Sequence, residues 1–290
     1  MMIVLFSFFT LFMLNCQPAK PVLIIPQLQA VSSQQHGDLT LFFDHDVELE
    51  IIELDPRLSL TSHNNSSIKY EGGEPGVVYT LQAKAKKDLV NLHFNTDFYD
   101  MNPNPATLQL NEIAIIHDKN RSNAIELIVT KTGNVGGITL LVGHNQNEAH
   151  RFVFPNREVQ QGEYLVVDVR RIEGEFSFAD TPGIPNTRGI IALLNSPYGP
   201  INEVFVYERS DRTEALSTQK TQFAEWHTQL VAEELWQGEP FDSRYATATR
   251  SVNRIAHRQP PYDANDWYIT VTRGLTLGQP NNPERFKPTP

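Results

Sequence analysis

Chemistry-bearing residue types gather at a few places in this 290-residue chain. One is His144-Asn145-Gln146-Asn147-Glu148-Ala149-His150. On an extended strand His144, Gln146, Glu148 and His150 share a face, and two imidazoles with a carboxylate are a zinc donor set. The set spans several strand residues, so one ion meets both histidines only if the chain turns; otherwise the segment is a polar hairpin turn. A second place holds Asp97, Asp100, Asn102 and Asn104 in a stretch that ends with Pro103 and Pro105. Calcium takes about six to eight oxygens, more than this segment offers, and Asp44 and Asp46 would have to join it. Without them the segment is a turn-rich linker. No Gly-x-Ser-x-Gly elbow, P-loop, His-Glu-x-x-His or Gly-x-Gly-x-x-Gly occurs. Neither a catalytic set, a metal centre nor a cofactor is therefore assigned, and the expectation is a protein that is not an enzyme.

Cys16 is the single cysteine, which excludes an internal disulfide framework and any zinc site built from several thiolates. It ends an uncharged apolar run beginning at Met1 and is followed by Gln17-Pro18-Ala19-Lys20. The run is shorter than the roughly 20 residues of a stable membrane span and suits the core of a secretory signal peptide. Residues 1–16 resemble a bacterial lipoprotein signal, which implies lipidation of Cys16 and anchoring to the inner or outer membrane. Residues 17–37 then read as a tether holding the folded part off the bilayer.

Formal net charge is −10 and the pI about 5.4, so phosphate backbones and anionic headgroups repel the surface at large. No nucleic-acid partner is expected. Hydrophobic residues make up 40%, enough for a real core, and the length allows about two domains.

The elements that must position these groups are strands. Leu39–Phe43, Val47–Glu53, Ile68–Tyr70, Val77–Ala83 and Leu89–Phe94 are strand-length runs separated by polar turns. They predict a small immunoglobulin-like sandwich over 38–105, bounded by the Pro/Asn-rich Asp97–Pro105. From Leu108 three runs rich in Ile, Val, Leu and Thr follow one another with no room for crossover helices. More strands follow at Arg151–Phe154, Tyr164–Asp168, Gly189–Leu194 and Ile201–Tyr207. Glu112 and Glu126 interrupt apolar strands and must face solvent or find partners at sheet edges. Thr213–Trp236 breaks the pattern: Leu216, Phe223, Trp226 and Leu230 recur at helical spacing on one stripe. An amphipathic helix over 213–236 is expected, its stripe packed on the sandwich or serving as a docking surface for a partner. Pro283–Pro290 reads as a disordered tail.

In order along the chain, Leu110-Asn111-Glu112-Ile113, Ala124-Ile125-Glu126-Leu127, Val135–Leu140, Phe152–Phe154 with Gln161–Val167, Ile191–Leu194 with Val204–Tyr207, Thr249–Arg254 and Asp266-Trp267 with Gly278–Asn281 match a known pattern. Residues 106–282 thereby resemble a lamin-tail domain, an immunoglobulin-like sandwich also found in bacterial surface and secreted proteins. The resemblance implies a second β-sandwich with no catalytic residues to carry over. Trp267 would be a core aromatic. The chain is thus expected to be mainly β, with two immunoglobulin-like domains and one inserted helix. Its expected role is non-catalytic binding or structural contact at a bacterial cell envelope, with an envelope protein or glycan as partner. The alternatives are a carbohydrate- or peptide-binding module using Tyr198, Trp236, Tyr245 and Tyr262, or an accessory to a secreted hydrolase.

Overall fold

In the computed structural model, residues 25–116, 123–169, 175–178, 182–212, 217–255 and 260–288 are described. Cys16 and Leu216 lie outside them.

The N-terminal domain contains β1 (Leu28–Gln35), β2 (Asp38–Phe43), β3 (Glu48–Asp55), β4 (Ser59–His63), β5 (Ser67–Glu71), β6 (Val78–Lys87) and β7 (Val90–Tyr99). They form two sheets, ordered β1-β2-β5-β4 and β3-β6-β7. Alternation in the sequence becomes alternation in burial: Tyr79, Leu81, Ala83 and Ala85 of β6 point inward, and the residues between them do not. Tyr79, Leu81 and Ala83 meet Leu39, Leu41, Ile68 and Tyr70 from the facing sheet in one core.

β1 falls inside the stretch read from sequence as tether 17–37, so the domain begins before residue 38. The run Leu-Gln-Ala-Val-Ser-Ser-Gln-Gln carries little apolar periodicity. It is held in the sheet by pairing with β2, Leu28 opposite Phe43 and Val31 opposite Leu41.

The second domain contains β8 (Thr107–Ala114), β9 (Asn123–Lys131), β10 (Gly133–Asn134), β11 (Thr139–Gly143), β12 (His150–Val153), β13 (Glu158–Val159), β14 (Tyr164–Val169), β15 (Phe176–Phe178), β16 (Arg188–Leu194) and β17 (Ile201–Glu208). After these come α1 (Thr218–Ala232), β18 (Trp236–Gln237), β19 (Phe241–Asp242), β20 (Val252–Arg254), β21 (Tyr262–Asp263) and β22 (Trp267–Ile269). A six-stranded sheet, β15-β14-β9-β8-β20-β22, faces a five-stranded sheet, β12-β11-β16-β17-β19. The chain is mainly β, with its strands arranged as β-sandwich domains.

β8 and β16 are buried along nearly their whole length. A strand covered on both faces loses the alternating pattern. The outer face of β16 is covered by α1, which packs against it and against β18. The outer face of β8 is covered by the segment around Thr276–Asn281, described below.

The helix is shorter than the 213–236 expected. Ser217 caps its start by accepting from Lys220 N at 3.2 Å. Glu234, at φ 57°, ends it, and Trp236 passes into β18, paired in parallel with β21. Phe223, Trp226 and Leu230 are buried in the domain's main core. The tail read as disordered is also partly structured: Phe286 N donates to Ile269 O at 2.8 Å, and the Arg250 guanidinium lies 4.1 Å over the Phe286 ring. The domain therefore extends past 282, to at least Phe286.

Candidate functional site

Two places hold functional side chains in unusual arrangements. One lies within the second sandwich and the other at the junction of the two domains.

Strand pairing sets Glu112 on β8 opposite Glu126 on β9, and both are fully buried. The expectation that they face solvent or a sheet edge fails, because these strands are central in their sheet. What satisfies them is the returning chain. Thr276 donates its N–H to both Glu112 oxygens at 3.1 and 3.2 Å and its hydroxyl at 2.8 Å. The Ser251 hydroxyl donates to the same carboxylate. Glu126 accepts from Asn111 Nδ2 at 2.7 Å and from Gly278 N. Asn111 and Asn281 exchange amide hydrogen bonds at 3.0 and 3.1 Å. Burial, with the Glu112 carboxylate as a lesser contributor, pushes the Glu126 carboxyl up to about 7, against the opposing pull of the Asn111 and Gly278 donors. Beside this cluster a pocket of about 320 Å³ is walled by Asn111, Tyr164, Tyr268, Asn281 and Arg285.

Deeper, between the sheets, Glu203 accepts from Leu110 N at 3.0 Å and pairs with the Arg254 guanidinium. Arg254 Nε donates to Leu110 O at 2.6 Å, and its guanidinium lies over the Tyr262 and Trp267 rings at 5.1 and 4.7 Å. Burial pushes the Glu203 carboxyl up to about 7, and Arg254 pulls the other way. Both groups are closed off from solvent, so the pair pins three strands together rather than presenting a charge. Neither Glu203 nor Thr276 was singled out from sequence. A lone carboxylate beside Val204-Phe205-Val206 was the available signal for Glu203.

At the junction a cleft of about 480 Å³ is lined from both domains, by Ser32, Asp97, Tyr99 and Met101 on one side and Gly136, Asn195, Ser196 and Tyr198 on the other. Tyr198 is 74% exposed yet fixed in place. Its ring meets Tyr99 edge-on at 5.8 Å, and the Arg151 guanidinium lies 5.6 Å from its centroid. Arg151 Nη1 also donates to Pro197 O, tying the loop that carries Tyr198.

Of the linker oxygens weighed as calcium ligands, those of Asp97, Asp100 and Asn102 are engaged within the protein. Asp100 Oδ1 accepts from Gly37 N at 3.0 Å, Tyr70 Oη at 2.9 Å and Met101 N at 2.9 Å, and His36 Nδ1 sits 2.6 Å from Oδ2. Asp97 accepts from the Thr80 hydroxyl at 2.7 Å. Asn102 Nδ2 donates to Asn134 O and Gly136 O at 2.8 and 2.9 Å, joining the linker to the second domain. The His144–His150 segment turns between β11 and β12, and Glu148 accepts from Gln222 of α1 at 3.0 Å. Among the described residues no cluster of three or more His, Cys, Asp or Glu is placed to hold a metal.

The four aromatics considered as a ligand platform do not assemble. Trp236 and Tyr262 are buried in the core, Tyr245 is half-buried against Phe286, and only Tyr198 is open.

Fold and sites together define a two-domain β-sandwich chain whose buried carboxylates serve its own closure. A protein-family model described as a protein second domain matches residues 106–181, which is the strand-rich first part of the second sandwich. An uncharacterized protein of Treponema pallidum (strain Nichols) is 34% identical over 79 residues, 27% of this chain and 20% of that protein. The match thus spans about a fifth of the relative's length. No solved structure matches significantly.

Proposed function

We propose that this chain is a lipid-anchored, extracytoplasmic protein of a bacterial cell envelope that works by contact and not by catalysis, with the junction cleft as its contact surface. The observation that carries this reading is the contrast between the two sites. The paired carboxylates that would suit acid–base work are engaged by Thr276, Gly278 and Asn111 of the same fold. Tyr198, by contrast, is held firmly and left open beside amide and hydroxyl groups. A rigid, amphipathic ring with convergent polar neighbours suits a glycan or an extended peptide of the envelope. The ordered motifs over 106–282 support a lamin-tail-like character for the second domain, and the apolar run ending at Cys16 supports the anchor.

Two measurements test this. Cys16→Ala is expected to abolish palmitate labelling and to release the protein from the membrane fraction. A wild-type chain that takes no label removes the anchor from the reading. Tyr198→Ala is expected to weaken retention on solubilised envelope glycan or peptide by about tenfold or more, as truncation of an aromatic anchor does. Unchanged retention moves the contact surface away from the cleft.

A further inference from the structure

Leu89 is the most exposed large hydrophobic residue described, at 86%. It sits at the tip of the β6–β7 hairpin, where Asp88 adopts φ 52° and Lys87 pairs with Val90. An isolated exposed leucine needs no explanation by itself. Its position does. β3 begins where β6 ends, Glu48 opposite Lys86, so the loop from Asp44 to Val47 lies at the same end of the domain as the hairpin tip. Lys87 and Phe42–Val47 wall one groove there. The chain enters the domain at this end as well: Leu28 pairs with Phe43, and Gln27 N donates to Asp44 Oδ1 at 2.7 Å. Ile25 and Phe42, exposed by 61% and 47%, are at this same end.

Cys16 precedes Ile25 by nine positions. At no more than about 3.5 Å per residue, a lipid on Cys16 keeps Ile25 within about 30 Å of the bilayer. The end of the domain bearing Leu89 is the end that this leash holds closest.

We propose that the end of the N-terminal sandwich formed by Ile25, Phe42 and the Leu89 hairpin rests on the lipid surface, with Leu89 entering the acyl boundary. This rests on the lipidation of Cys16. The contact is apolar in kind. Lys86 and Lys87 at the tip are offset by Asp44, Asp46 and Asp88 close by, so anionic headgroups add no net attraction. The anchor supplies the local concentration, and the tip supplies orientation. Held this way, the long axis of β6 stands off the bilayer, and the junction cleft at the far end of the domain faces away from it.

Tryptophan quenching by brominated lipid tests the arrangement. The native tryptophans Trp226, Trp236 and Trp267 are all buried, so they give a quiet background. The full-length lipidated chain carrying Leu89→Trp is placed in phosphatidylcholine vesicles with dibrominated acyl chains. Val78→Trp is the comparison: it is 43% exposed and lies nine residues up β6, about 30 Å away. The expected result is loss of about half of the added Leu89→Trp emission, none of the Val78→Trp emission, and no change in either on raising the salt. Palmitate labelling is read on the same samples. A labelled, vesicle-bound protein whose Leu89→Trp emission stays unquenched overturns the lipid contact and leaves the anchor standing. Equal quenching at both positions overturns it too, because the domain would then have no fixed orientation. Absence of label overturns the anchor and, with it, this proposal.

Discussion

At the scale of single residues, the fold changes the acid–base chemistry of Glu126. Its carboxyl titrates near 7 in the folded protein, against an ordinary value of 4.5. Between those values the folded state holds a proton that the unfolded chain has released. The stability this contributes is present in full below about pH 4.5 and is lost as the pH rises through about 7. The melting temperature is therefore expected to fall between about pH 5 and pH 8. Glu126→Gln stays neutral throughout; its carbonyl keeps an acceptor for Asn111 while its amide meets the Gly278 N–H, so it is expected to melt below wild type at pH 5 but to lose about 5 °C less between pH 5 and pH 8. Burial raises the Glu203 carboxyl in the same direction, so some slope will remain in the variant. Calorimetry across that range checks this, and a slope identical in both proteins would place the titrating proton elsewhere. The sequence showed both glutamates as misfits in apolar strands. It did not show their partners, because Thr276 and Gly278 lie more than 150 residues downstream, and only the fold brings them over β8 and β9.

At the scale of elements, legibility followed periodicity. The hairpin of β6 and β7 and the runs of β8, β9, β16 and β17 announce themselves through alternation or continuous Ile, Val and Leu. β1 does not, because its order comes from pairing with β2 and not from its own side chains. The stripe on α1 was legible, and its bounds were not: Ser217 and Glu234 set them through capping and a left-handed residue, which are single-residue signals. Trp226 and Phe223, 3% and 4% exposed, fasten the helix over β16. Trp226→Ala removes the largest of these contacts and is expected to destabilise the protein by about 3 kcal/mol or more. Chemical denaturation reads this directly. A midpoint unchanged from wild type would mean that the helix contributes little to the fold and that its stripe is free for a partner.

At the scale of the whole molecule, the two sandwiches meet through backbone in close approach. A Cβ built on Gly136 would lie 2.6 Å from Pro75 O and 2.7 Å from Pro75 Cβ, and one on Gly76 would lie 2.2 Å from Phe154 O. Asn102 and Asn104 of the linker reinforce the contact by binding Asn134 and Gly136. The sequence marked 97–105 as a boundary. In the structure Asp97–Tyr99 close β7 of the first sandwich, and Asn102 and Asn104 beyond it reach forward to clasp the second domain. This geometry shapes the cleft under Tyr198, so the rigidity of the junction bears on binding. Gly136→Ala isolates that rigidity. Gly136 does not need a left-handed backbone, so the methyl acts only by collision, at a cost of about 1–3 kcal/mol. The domains are expected to part, and a single thermal transition to split into two, with the cleft losing affinity for whatever it holds. Gly162→Ala is the matching control: it strains a left-handed turn at φ 88° but meets nothing within 4 Å, so it should lower one transition without dividing it. If Gly136→Ala still melts in one step at the wild-type temperature, Pro75 yields to the methyl without cost, and the close approach of the two backbones is not what couples the domains.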